Sequence, residues 1–257
     1  MNDSLKSGTL KKHFSSKEHI TTSDIRSFYQ KSEPAITDST LNWRIYNLVK
    51  SNELTRIGRG IFAFTKLSEF SHNLRKEDIV TYKKLHKKFP FTSICIWNTS
   101  IFNHFMNHQL FKYYTLVEVE RIAMESVFHF LTETKSGVLI DPSSEIMDRY
   151  AGRETNTVVV IPLISQAPLL NQDGFITPSL EKILVDVFCD HVIFASEQGS
   201  EMQLIFSKAF KQFRINISRM LRYAKRRGKH DQLVSWLKDH LEFRQLLANI
   251  DKIKKDG

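Results

Sequence analysis

The alternation of apolar and polar positions changes period once between residues 37 and 64, and the change separates a helix from a hairpin. Leu41, Ile45, Leu48 and Val49 fall at i, i+4, i+7 and i+8, the spacing of one face of an α-helix. Thr37 can cap the free amides ahead of them, and Asp38 suits the positive end of the helix dipole. With those four residues turned inward, Ser39, Thr40, Asn42, Trp43, Tyr46, Asn47 and Lys50 lie mostly outward, and Arg44 falls at the margin. Residues 54–57 and 60–64 then read as two short strands reversing at Gly58-Arg59-Gly60, where the glycines permit a tight turn and the arginine sits at its tip. A helix followed by a basic hairpin predicts the winged form of a helix-turn-helix.

The flanking patterns extend the picture. A helix is expected over residues 5–14, and Thr21-Thr22-Ser23 offers capping hydroxyls for a second, from Asp24 to Gln30, that buries Ile25, Phe28 and Tyr29. Pro34 ends it, because proline disfavours helix in the residue before it. Residues 67–90 predict a connector built on a basic helix, with Lys83, Lys84, Lys87 and Lys88 on one face as either a solvated surface or a second nucleic-acid contact. Residues 93–97, 114–119, 138–140, 157–162 and 192–195 read as short strands, and 98–111, 122–133 and 179–189 as helices. Beyond them Phe206, Phe210, Phe213, Ile217, Leu221 and Ala224 recur at helical spacing, predicting one helix that Gly228 ends, followed by another from Asp231. The expected fold class is α+β: a winged helix-turn-helix over 1–66, a connecting helix over 67–90, and over 91–257 a central mixed α/β domain that ends in basic C-terminal helices.

Charge sharpens this division. Residues 1–66 carry 11 Lys/Arg against 6 Asp/Glu, residues 67–206 carry 12 against 17, and residues 207–257 carry 14 against 5. Two basic ends flanking an acidic middle point to a polyanion as partner for the ends. Hydroxyls, amides and guanidinium groups are what phosphates and base edges bond to. The candidate contacts to double-stranded DNA are therefore Ser39, Thr40, Asn42, Trp43, Arg44, Asn47 and Lys50 of the helix, with Arg56 and Arg59 of the hairpin. A second basic patch, Arg222, Lys225, Arg226, Arg227 and Lys229, has three readings: a phosphate clamp, a surface for an acidic protein, or a solvated helix end. Its cations are expected to be exposed. The longest apolar runs fall far short of a membrane span, the N-terminus has no apolar leader segment, and Cys95 and Cys189 sit in apolar surroundings, so a cytoplasmic protein without a membrane partner is expected.

Enzymatic signals are sparse. His104 and His108 share a helical face, but the residues between them are Phe105-Met106-Asn107, without the glutamate a zinc protease needs. Glu118, Glu120 and Asp141 with Glu133-Thr134-Lys135 resemble a metal-dependent nuclease of the PD-(D/E)xK type, the alternative to a binding protein, although there the Glu-x-Lys unit belongs on a core strand. Neither a catalytic residue nor a metal or cofactor is expected.

The helix containing Trp43-Arg44-Ile45-Tyr46-Asn47-Leu48-Val49 and the strand pair Leu54-Thr55-Arg56-Ile57-Gly58-Arg59-Gly60-Ile61-Phe62 resemble the winged helix of AbiE-type antitoxins, from bacterial type IV toxin–antitoxin and abortive-infection systems. Trp97-Asn98-Thr99-Ser100 resembles the segment that opens that family's second domain, and residues 177–186 its Pro-Glu-Lys-Thr-Leu-type helix, with Pro178-Ser179-Leu180-Glu181 in place of Pro-Glu. The resemblance implies a repressor of its own operon, with a second domain that neutralises a nucleotidyltransferase-like toxin encoded alongside; the alternative beside the nuclease is a protein-binding antitoxin without a specific operator.

Overall fold

Threonines cap the starts of the second and third helices. The computed structural model describes residues 5–17, 19–51, 53–64, 67–106, 113–150 and 157–240. The N-terminal stretch runs α1 (Ser7–His13), β1 (Ile20–Thr21), α2 (Thr22–Gln30), α3 (Asp38–Lys50), β2 (Thr55–Gly58) and β3 (Ile61–Ala63). Ahead of α2, the Thr21 hydroxyl accepts from the Asp24 amide at 3.1 Å while the Asp24 carboxylate accepts from the Thr21 amide at 2.8 Å, a reciprocal capping box. Thr37 caps α3 by accepting from the Thr40 amide at 3.2 Å. Leu41, Ile45 and Leu48 of α3 pack with Leu10, Ile20, Ile25, Tyr29, Leu54 and Phe62 into one core. The three strands form an antiparallel sheet in the order β1-β3-β2. Gly60 adopts φ 69°, the left-handed conformation glycine tolerates, at the reversal between β2 and β3.

The chain continues through α4 (Lys76–Lys88), β4 (Ile94–Asn98), β5 (Thr115–Val119), α5 (Met124–Thr132), β6 (Val138–Ile140), α6 (Ser144–Tyr150), β7 (Val158–Pro162), β8 (Leu169–Gln172), β9 (Phe175–Pro178), α7 (Leu180–Cys189), α8 (Ser200–Gln212), α9 (Ile217–Arg226) and α10 (His230–Asp239). It makes an α+β protein with several small sheets and C-terminal helices. The central sheet is mixed: β4 and β5 are antiparallel, whereas β5-β7 and β7-β6 are parallel. Among the described residues no helix is long and apolar enough to cross a membrane.

Residues 1–69, 211–218 and 231–257 form one unit, and residues 70–210 and 219–230 the other. Two expectations change here. The helix over 67–90 is not a connector, because Tyr82 and Leu85 of α4 are buried among Ile94, Ile96, Val117 and Val119 in the core of the second unit. Nor do residues 91–257 stay together, since the chain returns to the first unit after residue 210 and again after residue 230.

Local corrections have local causes. The single helix expected from Phe206 to Gly228 is broken between α8 and α9, where the Ser68 amide donates to the Gln212 carbonyl at 3.0 Å and the Arg214 amide to the Ser68 carbonyl at 2.9 Å. Those bonds take the backbone out of helix. The expected strand at 192–195 is a turn leading into the 3₁₀ turn Ala195–Glu197, and the Asp190 carboxylate accepts the amides of Val192 and Ile193. Residues 98–111 hold a 3₁₀ helix at Thr99–His104 in place of an α-helix, and 107–112 lie outside the described residues.

Candidate nucleic-acid interface

α3 has one side in the core and one side in solvent. On the solvent side Ser39, Thr40, Asn42, Trp43, Tyr46 and Lys50 are exposed, with Asn47 half-buried. Trp43 is 50% exposed and Tyr46 61%, a large aromatic surface for a helix whose core side is already filled. The Asn47 amide donates to the Trp43 carbonyl at 2.8 Å, and the Lys50 ammonium lies 6.0 Å from the Tyr46 ring centre. Arg26 of α2 is ion-paired with Asp38 at the start of α3. On the hairpin, Arg56 lies over Phe62, its guanidinium carbon 5.0 Å from the ring centre, and Arg59 is exposed at the turn. Arg56 remains exposed above that ring, an arrangement suited to a phosphate.

Arg44 departs from the sequence reading. It is only 7% exposed and is not available to a base edge. Its guanidinium donates to both oxygens of Glu33, at 3.0 and 2.8 Å, and stacks 4.5 Å from the ring centre of Tyr29. The bonds from Arg44 hold the Glu33 carboxyl below its ordinary range, and burial pushes the Tyr29 hydroxyl up to about 12. Sequence reasoning missed this cluster because Glu33 and Arg44 lie on either side of a chain reversal, and no helical spacing relates them. Arg44 fastens α3 to the segment that precedes it.

The second basic patch is divided by its surroundings. Arg222, Lys225 and Arg226 are exposed, and Lys229 is half-buried. Arg226 also donates to the Gln166 side chain at 2.9 Å. Arg227 was expected at the surface but is directed inward: its guanidinium donates to Asp186 at 2.8 Å and its side chain is only 20% exposed. Burial acts to lower its pKa, but the Asp186 carboxylate outweighs this and the net shift is upward. The acidic middle of the chain therefore already holds one cation of the patch.

Asp186 belongs to a buried ionic cluster. The Lys182 ammonium lies 2.6 Å from each oxygen of Glu118 and 2.6 Å from Asp186. Glu118 also accepts from the Trp97 indole at 2.8 Å, and Asp186 from the Tyr223 hydroxyl at 2.8 Å. Lys182 is completely buried. Desolvation alone would push its pKa down, but the carboxylates of Asp186 and Glu118 hold it well above the ordinary value.

This cluster bears on the nuclease alternative. Glu118 is committed to a lysine and an indole, while Glu120 is bonded to Ser93. Glu133 caps the end of α5, off any strand. Among the described residues no group of three His, Cys, Asp or Glu side chains is placed to hold a metal ion. His104 is exposed, and His108 lies outside the described residues.

Residues 40–242 match the model of a family of unknown function, DUF6577, and the chain belongs to that family. No curated protein matches the sequence.

Proposed function

We propose that this protein is a DNA-binding transcription regulator whose first unit is a winged helix-turn-helix, with α3 as the helix that enters the major groove and the β2–β3 hairpin as the wing. The observation that carries the reading is the exposed face of α3, where Asn42, Trp43, Tyr46 and Lys50 stand in solvent although the opposite side of the helix is fully packed. Arg56 and Arg59 on the neighbouring hairpin supply cations for the flanking phosphates. The order helix, strand, helix, helix, hairpin supports the same assignment. The resemblance to AbiE-type antitoxins extends the proposal to repression of its own operon and to a nucleotidyltransferase-like toxin as partner of the second unit.

Mobility shift with the region upstream of its own gene tests the proposal. Preference for that region over random duplex DNA at physiological salt is the expected result. Equal affinity for both would remove the regulatory reading and leave general attraction to a polyanion.

A further inference from the structure

A cleft of about 250 Å³ opens in the second unit, between the segment leading into α4 and the end of β4. Its lining includes Ser71, His72, Asn73, Asp78, Asn98 and Ser100. His72, Asp78 and Asn98 are buried, with Thr115 beneath them. Buried polar side chains cost stability unless they are bonded, so their concentration around one opening calls for a reason.

The bonding pattern defines what the cleft can accept. Both carboxylate oxygens of Asp78 are taken: Arg75 donates to each at 2.9 Å, and the Thr115 hydroxyl donates to one at 2.7 Å. That charge is neutralised within the wall by Arg75, and among the described residues the other titratable side chains of the lining are His72 and His104. His72 Nε2 lies 2.7 Å from the Pro178 carbonyl. A carbonyl only accepts, so Nε2 carries the hydrogen and Nδ1 is left as a bare acceptor. Gln172 clamps the backbone of His72 from both sides, accepting from its amide at 2.9 Å and donating to its carbonyl at 2.7 Å. Burial lowers the His72 pKa to about 4, which keeps the ring neutral. Asn98 gives one amide hydrogen to Thr115 at 3.3 Å and accepts from the Ser100 amide at 2.9 Å, with its second amide hydrogen to spare. Ser71, Asn73 and Ser100 add hydroxyl and amide groups nearer the rim.

We propose that this cleft binds a small neutral polyhydroxylated molecule of monosaccharide size. A hydroxyl group can donate to His72 Nδ1 and accept from Asn98 or a serine, and adjacent hydroxyls satisfy the alternating donors and acceptors of the lining. The volume lies at the small end for ligand sites, and among the described residues no Phe, Tyr or Trp lines the opening as a platform for a nucleobase.

Ligand-observed NMR with the full chain tests this, using glucose, galactose, ribose and myo-inositol as probes beside glucose 6-phosphate and uridine. Saturable binding of at least one neutral polyol, with Kd below about 10 mM, is expected. Ser100→Leu, which plugs the opening from a half-exposed position, should weaken that binding by about tenfold or more without changing the melting temperature. His72→Phe should also abolish it, since the ring keeps its shape and loses its acceptor. The proposal is overturned if no neutral polyol binds, if Ser100→Leu binds as well as the parent, or if glucose 6-phosphate or uridine binds more tightly than every neutral polyol.

Discussion

The first unit displays charge on α3 and its hairpin, whereas the second confines charge around α7. Lys50, Arg56 and Arg59 stand in solvent, where a salt bridge contributes little to stability and a cation remains available to a partner. Lys182, Glu118 and Asp186 have no such freedom, because each is removed from water and the lysine is bonded to both carboxylates. Arg44 shows that the distinction concerns surroundings and not residue type. It lies on the same helix as Lys50, yet it belongs with the confined group. Charge on a helix thus becomes a candidate for recognition only where its own fold has left it unsatisfied.

The strongest test of the contrast is to break the confined cluster. Lys182→Met leaves Glu118 buried without a cation and Asp186 with Arg227 alone, and should cost about 3–5 kcal/mol in urea denaturation. Adding Glu118→Leu should recover more than half of that loss, because Asp186 keeps Arg227 and no buried charge then lacks a partner. A double variant no more stable than the single one would mean the cluster does not act through charge pairing.

Titratable groups buried without an opposite charge should respond to pH instead, with somewhat smaller effects. His72 is lowered from 6.5 to about 4, so the unfolded chain takes up its proton first and stability falls as pH drops from 6.5 toward 4. Glu197, whose Oε2 is buried without a partner, is raised by burial from 4.5 to about 7, so stability falls as pH climbs from 4.5 toward 7. Each effect is worth about 3 kcal/mol, and across their shared window they oppose one another. The parent should therefore vary little in stability between those limits from these two groups. Glu197→Gln should uncover a rise toward neutral pH, measurable by denaturant titration at several pH values. A flat profile in that variant would remove His72 as the compensating group.

On α3 the two kinds of charge can be separated by neighbouring substitutions. Asn42→Ala should leave melting unchanged and reduce discrimination between operator variants by about 1–3 kcal/mol. Arg44→Ala should do the reverse, lowering the melting temperature while leaving base preference intact, because its bonds go to Glu33. A change of base preference in Arg44→Ala without loss of stability would contradict its assignment as a fastening. The smallest effect is expected at Arg59, where alanine should weaken all DNA sequences alike and reduce the slope of log K against log salt by about 0.9.

How much of this was legible depended on whether the cause was local. Thr37 and the Leu41, Ile45, Leu48 spacing announce α3, because cap and stripe lie within one element. Val138–Ile140 could be read directly as a strand for the same reason. The β8–β9 hairpin was missed although it carries its own signal: Asp173-Gly174 forms the turn, with φ of 52° and 84°, the left-handed pair that Asp-Gly favours. The break between α8 and α9 was not readable, since its cause is a backbone pairing with Ser68, remote in sequence. The candidate face on α3 was legible as a list of outward residues. That Arg44 should be withdrawn from it depended on Glu33 and Tyr29, which only the folded chain brings beside it.

The return of the chain to its first unit also sets an order of events during synthesis. Leu233 and Leu237 of α10 are buried, so part of what completes the first unit is made after nearly all of the second. At translation rates of about 5–20 residues per second, roughly 10–40 s pass between the emergence of α3 and that of α10. Over that interval the ribosome carries a nascent chain whose first unit still lacks α10. The part of the protein that begins first is finished last.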